Sequence, residues 1–272
     1  MSHSADTNAG PGWQAIKAVT ILVYIFMFAP ILVVMILSFN DSMFGGFPMT
    51  GFSLRWYERL AENEAVLRAF QTSLWVALIT SVICTVLGIM GAMALVRYDF
   101  PGKEWVNTLV IAPALVPETV LGVGLLLLIR WAQEPRTLGL MVAGHILLAL
   151  PYVVLVVQAR LIGIKRVYEE AAMSLGANRF NTFREITLPL LMPAVVASML
   201  LVFTISFDNI TASMFWRPAG VETMPTQILS MLKISISPEV NALGTLMIVI
   251  TVGLPLLGGA LARILARGAK QP

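Results

Sequence analysis

The amino-acid sequence predicts an all-α polytopic membrane protein with six transmembrane helices, and three observations carry that reading. Hydrophobic residues make up 58% of the chain and charged residues only 12%, for a mean hydropathy of +0.84 that sets it apart from water-soluble domains. Apolar runs recur along the whole length, and most reach the roughly 20 residues that a bilayer crossing needs. The basic residues fall between and after those runs, which is the distribution of a membrane topology rather than of a nucleic-acid surface, despite a pI near 9.2.

Residues 1–17 form a polar N-terminal tail containing Gly10-Pro11-Gly12. The apolar run at 18–39 is longer than the core of a signal peptide and no small-residue cleavage pattern follows it, so it reads as a retained first span. Five more spans are expected at 69–96, 105–129, 138–159, 188–207 and 241–265, giving a transmembrane domain over 18–267 and a short tail at 268–272. Prolines at 30, 113, 117, 151, 193 and 255 lie in or near the ends of spans, where neighbouring groups satisfy the freed backbone. Gly88 and Gly91 in the second span, and Gly253, Gly258 and Gly259 in the sixth, are expected at close helix contacts.

Orientation follows from lysine and arginine. With the N-terminus inside, the cytoplasmic segments carry eleven and the outer segments seven. Both termini are then cytoplasmic. The outer segment 40–68 is expected to hold a short interfacial helix around Trp56 and Tyr57, with its aromatics at headgroup level. The outer segment 208–240 is expected to hold a short re-entrant or interfacial helix over 228–236, since about ten apolar residues are too few to cross.

Enzymatic motifs are missing from the sequence. No Gly-x4-Gly-Lys-Ser/Thr loop occurs, so the chain does not itself hydrolyse ATP. No metal-ligand spacing appears, and the single Cys84 permits no intrachain disulfide. His145 reads as a hydrogen bond across helices. Two carboxylates at membrane depth are more informative, because a charge near the bilayer centre costs roughly 2.5 to 3.5 kcal/mol on insertion scales and usually faces a cavity or partner. Glu118 follows Pro117 in the third span, and Asp208 ends the fifth beside Asn209. No basic residue is expected at their depth, so a cationic ligand is the natural counter-charge.

The most patterned polar interval is 166–189. Tyr168, Ala171, Ala172 and Leu175 share one face of a short helix, which Gly176 stops. Asn178 is expected to cap a second short helix carrying Phe180 and Phe183, and Pro189 to lie in the first turn of the next span. Glu170-Ala171-Ala172, three residues, Gly176, nine residues, Ile186, one residue, then Leu188-Pro189 resembles the EAA loop of the permease subunits of bacterial ABC importers.

From about residue 38 to 265 the chain is similar to the second permease subunit of spermidine/putrescine-type importers. The stretches that carry this are Gly51-Phe-Ser-Leu-Arg-Trp-Tyr57, Ala94 to Lys103, Pro117-Glu118, Phe203-Thr-Ile-Ser-Phe-Asp-Asn209 and Ser237 to Leu243. The resemblance implies a type I importer permease fold, in which Glu170, Ala171, Ala172, Leu175 and Gly176 form a cytoplasmic coupling helix seated in an ATPase subunit. It implies as partners a sister permease, two ATPase subunits that hold ATP and Mg, and a periplasmic binding protein, in the bacterial inner membrane. This chain itself is expected to bind no cofactor. It also implies a substrate path at Glu118, Asp208 and Asn209. The family tends to carry two adjacent acidic residues where this chain has Asp208-Asn209; the missing charge favours a less charged cargo than spermidine, such as putrescine, an amino acid derivative or an opine-like solute. An ion-coupled secondary transporter is the competing class, but no inverted repeat is evident to support it.

Overall fold

The computed structural model describes residues 11–43, 46–234 and 237–268, with side chains described up to residue 260. Most of residues 1–17 and 268–272, the two expected tails, therefore lie outside the described residues. The described chain is built of helices joined by loops, and its β-structure among the described residues is one isolated bridge between Asn40 and Phe52.

Helix α1, Pro11–Leu37, begins seven residues before the apolar run and lies apart from the bundle, meeting mainly the last helix. A loop then leads to α2, Arg55–Glu62. Trp56 is 2% exposed and packs within the chain: its indole Nε1 donates to the Asn40 carbonyl at 2.7 Å, under the guanidinium groups of Arg55 and Arg59. Tyr57 turns inward too, with its hydroxyl 2.7 Å from Ser38 Oγ.

Asn63 starts α3, Glu64–Arg97, by accepting from the amides of Ala65 and Val66, a cap of about 1 kcal/mol. Its side-chain amide reaches Glu239 at 3.4 Å, joining this end of α3 to the start of α12, Pro238–Gly268. Helix α6, Leu138–Ile162, packs along α3 in parallel. Val76 shares a core with Met141 and Val142; further along, Cys84 and Ala92 share another with Ala149, Val153 and Val157. Gly88 lets Val153 approach, since a Cβ there would lie 2.3 Å from its Cγ1. Helix α9, Leu188–Phe207, returns across both. Arg160 at the end of α6 donates to the Leu190 carbonyl near its start, and His145 near the start of α6 sits 2.8 Å from Ser206 near its end.

The third expected span, 105–129, is not one continuous helix. It is two helices, α4 (Lys103–Leu115) and α5 (Glu118–Trp131), meeting at 106° across Val116-Pro117. Pro117 lacks an amide hydrogen and disfavours helical geometry in the residue before it, so the break falls at Val116, which is extended. Among the described residues, five helices are long and apolar enough to cross a membrane, or six if the bent pair counts as one. The segment after α9 folds into α10 (Ile210–Trp216) and α11 (Met224–Ile234), an extra helix beyond the one expected there.

Candidate functional site

Two sites were expected, and they lie at opposite reaches of the bundle. At the end where α3 and α6 finish stands α7, Val167–Ser174. Its first turn is acidic, with Glu169 and Glu170, which suits the positive end of the helix dipole. The amide of Leu175 closes on Ala171 and Ala172, and Gly176 then adopts φ +92°, a conformation that costs glycine little. Asn178 caps α8, Arg179–Thr182, by accepting from the Asn181 amide at 2.8 Å. A π-helical turn, Phe183–Thr187, joins α8 to α9 without a break, with Pro189 in the first turn of α9.

Helix α7 leaves its apolar stripe open: Tyr168 and Ala171 are exposed, and Leu175 is 91% exposed. Glu170 and Gly176 are exposed as well, and Ala172 is half-covered. From beneath, α7 is held by residues that the sequence pattern did not single out. Arg97, the last residue of α3, pairs with Glu169 at 3.0 Å and donates to the Ile164 carbonyl at 3.0 Å. Thr187 donates to the same carboxylate at 2.9 Å. Arg166 adds bonds to the carbonyls of Val96 and Arg97. A cleft of about 220 Å³ opens among α7, α8 and the foot of α3, lined by Arg97, Arg166, Glu169, Glu170 and Arg179. Nearby, outside the spans, the Lys103 ammonium 2.8 Å from Asp99 holds that carboxyl below its ordinary value.

The second site forms at the break in the third span. Glu118 begins α5, and its Oε1 accepts from Asn209 Nδ2 at 3.1 Å across 91 residues of sequence. Asn209 is buried and also accepts from the Ala212 amide with its Oδ1, which caps α10. Two of the three expected residues are thus brought together. Asp208 lies beside them as the exposed C-cap of α9. Neither Glu118 nor Asp208 is in a salt bridge among the described residues.

Trp216 locks this corner. It is fully buried, donates from Nε1 to the Gly122 carbonyl at 2.9 Å, and lies over Gly144 so closely that a Cβ there would meet the ring at 2.1 Å. Gly122 in turn faces Phe215, 2.5 Å from where its Cβ would lie. Two glycines spaced far apart in sequence gave no signal of a shared aromatic wedge. His145 is buried on the other side of α6 from solvent, and makes the cross-helix bond to Ser206 that was expected of it.

A family model described as "Binding-protein-dependent transport system inner membrane component" matches residues 84–271. The chain is 36% identical over 246 residues to the spermidine/putrescine transport system permease protein PotC of Escherichia coli (strain K12), covering 90% of this chain and 93% of that one. It is 34% identical over 244 residues to the putrescine transport system permease protein PotI of the same organism, covering 87% and 85%. A solved bacterial ABC transporter involved in import of the acidic polysaccharide alginate shares the fold, with a TM-score of 0.73 at 16% identity over 92% of this chain and 94% of that one. With the family model spanning most of its length and full-length relatives above 30% identity, the chain belongs to the inner-membrane components of binding-protein-dependent transport systems, the multi-pass and non-catalytic translocation subunits of ABC importers.

Proposed function

We propose that this chain pairs with a sister permease to form the path of an ATP-driven polyamine importer, with putrescine as its favoured cargo delivered by a periplasmic binding protein. The observation that carries the cargo class is similarity along nearly the whole chain to two permeases named for spermidine/putrescine and for putrescine. The chemistry of the second site agrees with it. Glu118 and Asp208 are carboxylates without a cationic partner among the described residues, and a diammonium solute supplies one for each. Asn209 adds a neutral amide to that pair where a third carboxylate would favour a more highly charged amine.

Helix α7 is the coupling helix in this reading, with Ala171 and Leu175 seated in an ATPase subunit. Two such subunits bind ATP and Mg on the cytoplasmic side. The support is its isolation at one end of the bundle, its uncovered apolar stripe and the left-handed Gly176.

Helix direction supports six crossings. Helices α3 and α6 run parallel, as the joined ends at Arg97 and Ile164 indicate. Two successive parallel spans require the chain between them to cross back, so α4 and α5 act together as one broken span. The excess of basic residues supports a cytoplasmic α7 end and cytoplasmic termini.

The test is Glu118→Gln in the reconstituted importer. Glutamine keeps an acceptor for Asn209 while removing the charge, so putrescine uptake falls about tenfold, as the loss of a charge-assisted bond implies. Co-purification with the ATPase is retained. Putrescine uptake at the unmodified rate would defeat the counter-ion role.

A further inference from the structure

The foot of α3 and the π-helical turn that leads into α9 both bond one side chain of the candidate coupling helix, the carboxylate of Glu169. Arg97 approaches it with Nε at 3.0 and 3.1 Å from the two oxygens, and Thr187 donates to Oε1 at 2.9 Å. The ion pair is largely withdrawn from water, with side chains 9% and 14% exposed, and Thr187 is 1% exposed. A pair in that setting is costly to break, because removing one partner strands the other charge with little solvent. It also differs from the exposed Lys103–Asp99 pair at the same end of the bundle, where screening leaves little net energy.

The three anchors belong to three different elements. Arg97 ends α3 and is tied to Ile164 just beyond α6; Glu169 lies in α7; Thr187 closes the π-helical turn. A π-helical turn carries one residue more per turn than the flanking α-helix, and such insertions are often retained at functional sites despite their weaker geometry. Here it is the segment through which any displacement of α7 and α8 must pass to reach the membrane-spanning part of α9. Glu169 spans that segment, so α7 cannot shift relative to α9 without carrying Arg97 or releasing it.

Building on the reading of α7 as the coupling helix, we infer that Arg97, Glu169 and Thr187 form a brace that transmits movement of α7 to α3 and α9, positioning the coupling helix without touching either nucleotide or solute. The brace is distinct from the EAA residues: Glu170, the first of them, is exposed, whereas its neighbour Glu169 has a side chain only 14% exposed.

The experiment uses the complete importer reconstituted in nanodiscs, with binding protein loaded with putrescine, and reads the ratio of stimulated to basal ATP hydrolysis. Glu169→Gln and Thr187→Val each lower that ratio by about two- to thirty-fold, the range that residues carrying coupling between sites span. Thr187→Ser, which restores the hydroxyl, recovers it, and Lys103→Gln in the exposed pair leaves it unchanged. A purely structural role would lower the yield of complex while keeping the ratio, and that outcome overturns the brace. So would an unchanged ratio in both Glu169→Gln and Thr187→Val when Gly176→Val has lost stimulation; α7 would then still be the coupling helix, and the brace alone would fail. If Gly176→Val also keeps full stimulation, the assignment of α7 itself falls and the brace with it.

Discussion

Single residues set how closely the helices of this bundle approach, and glycine does so at Gly88, Gly122, Gly144 and Gly258 for different partners. Gly144 is the most demanding: Trp216 fills its Cβ position, and that indole is held in turn by the Gly122 carbonyl. Gly144→Ala must therefore push a fully buried tryptophan off its hydrogen bond. Overpacking of this kind costs about 1–3 kcal/mol. The expected outcome is a lower thermal midpoint of the purified complex, while Gly124→Ala, with nothing within 4 Å, leaves it unchanged. Only part of this was legible in the sequence. Glycine in an apolar run signals close packing, and Gly88 and Gly258 do meet Val153 and Leu200. Gly253 and Gly259 carry the same signal and meet nothing within 4 Å among the described residues, because composition cannot say which face of a helix is turned inward.

At the scale of elements, the 166–189 loop was the most legible feature because its instructions are local. An asparagine cap, a glycine that ends a helix and a proline in a first turn act within four or five residues of themselves, and all three stand where the pattern placed them. The bend in the third span was less legible. The 105–129 run is apolar enough to read as one span despite Asn107, Thr108, Glu118 and Thr119, and Pro113 stays inside α4 while Pro117 breaks the chain, so proline alone does not decide. The Glu118–Asn209 bond was invisible for the same reason as Arg97–Glu169: 91 and 72 residues separate the partners, and only the fold brings them together. Two predictions belong here. Gly176→Val places a β-branched residue at φ +92°, a strain of about 1–3 kcal/mol, and the turn beyond α7 relaxes elsewhere. Uptake and loaded-binding-protein stimulation of ATP hydrolysis fall together, while the protein still inserts; normal stimulation would show that the turn is dispensable. Asn178→Ala removes the cap of α8 and costs about 1 kcal/mol, seen as faster hydrogen exchange confined to 179–183.

For the molecule as a whole, the direction of each helix decides what each end can meet. Joined ends at Arg97 and Ile164 make α3 and α6 parallel, while the Arg160–Leu190 bond makes α9 antiparallel to α6. In the proposed topology these relations set which loops share a side, and the choice of side rests on charge. Cysteine labelling tests both in a Cys84→Ser background. Asp99, Asn181, Glu62 and Arg136 are all exposed positions in or beside loops. If the broken pair α4–α5 crosses once, Asp99→Cys and Asn181→Cys react with impermeant maleimide from the cytoplasmic side alone, and Glu62→Cys and Arg136→Cys from the outside alone. A re-entrant α4–α5 would instead place 99 and 136 on the same side, and α6 would then have to run against α3. Shared labelling of those two positions would therefore contradict the parallel packing at Gly88 and Val153, not merely the count of spans. A complete reversal of the four sides would keep the fold and overturn the orientation, leaving α7 outside the cell and out of reach of any ATPase. The expected pattern, two positions from each side, is the one that the proposed function requires, with α7 facing an ATPase and Glu118 on the proposed path of an incoming cation.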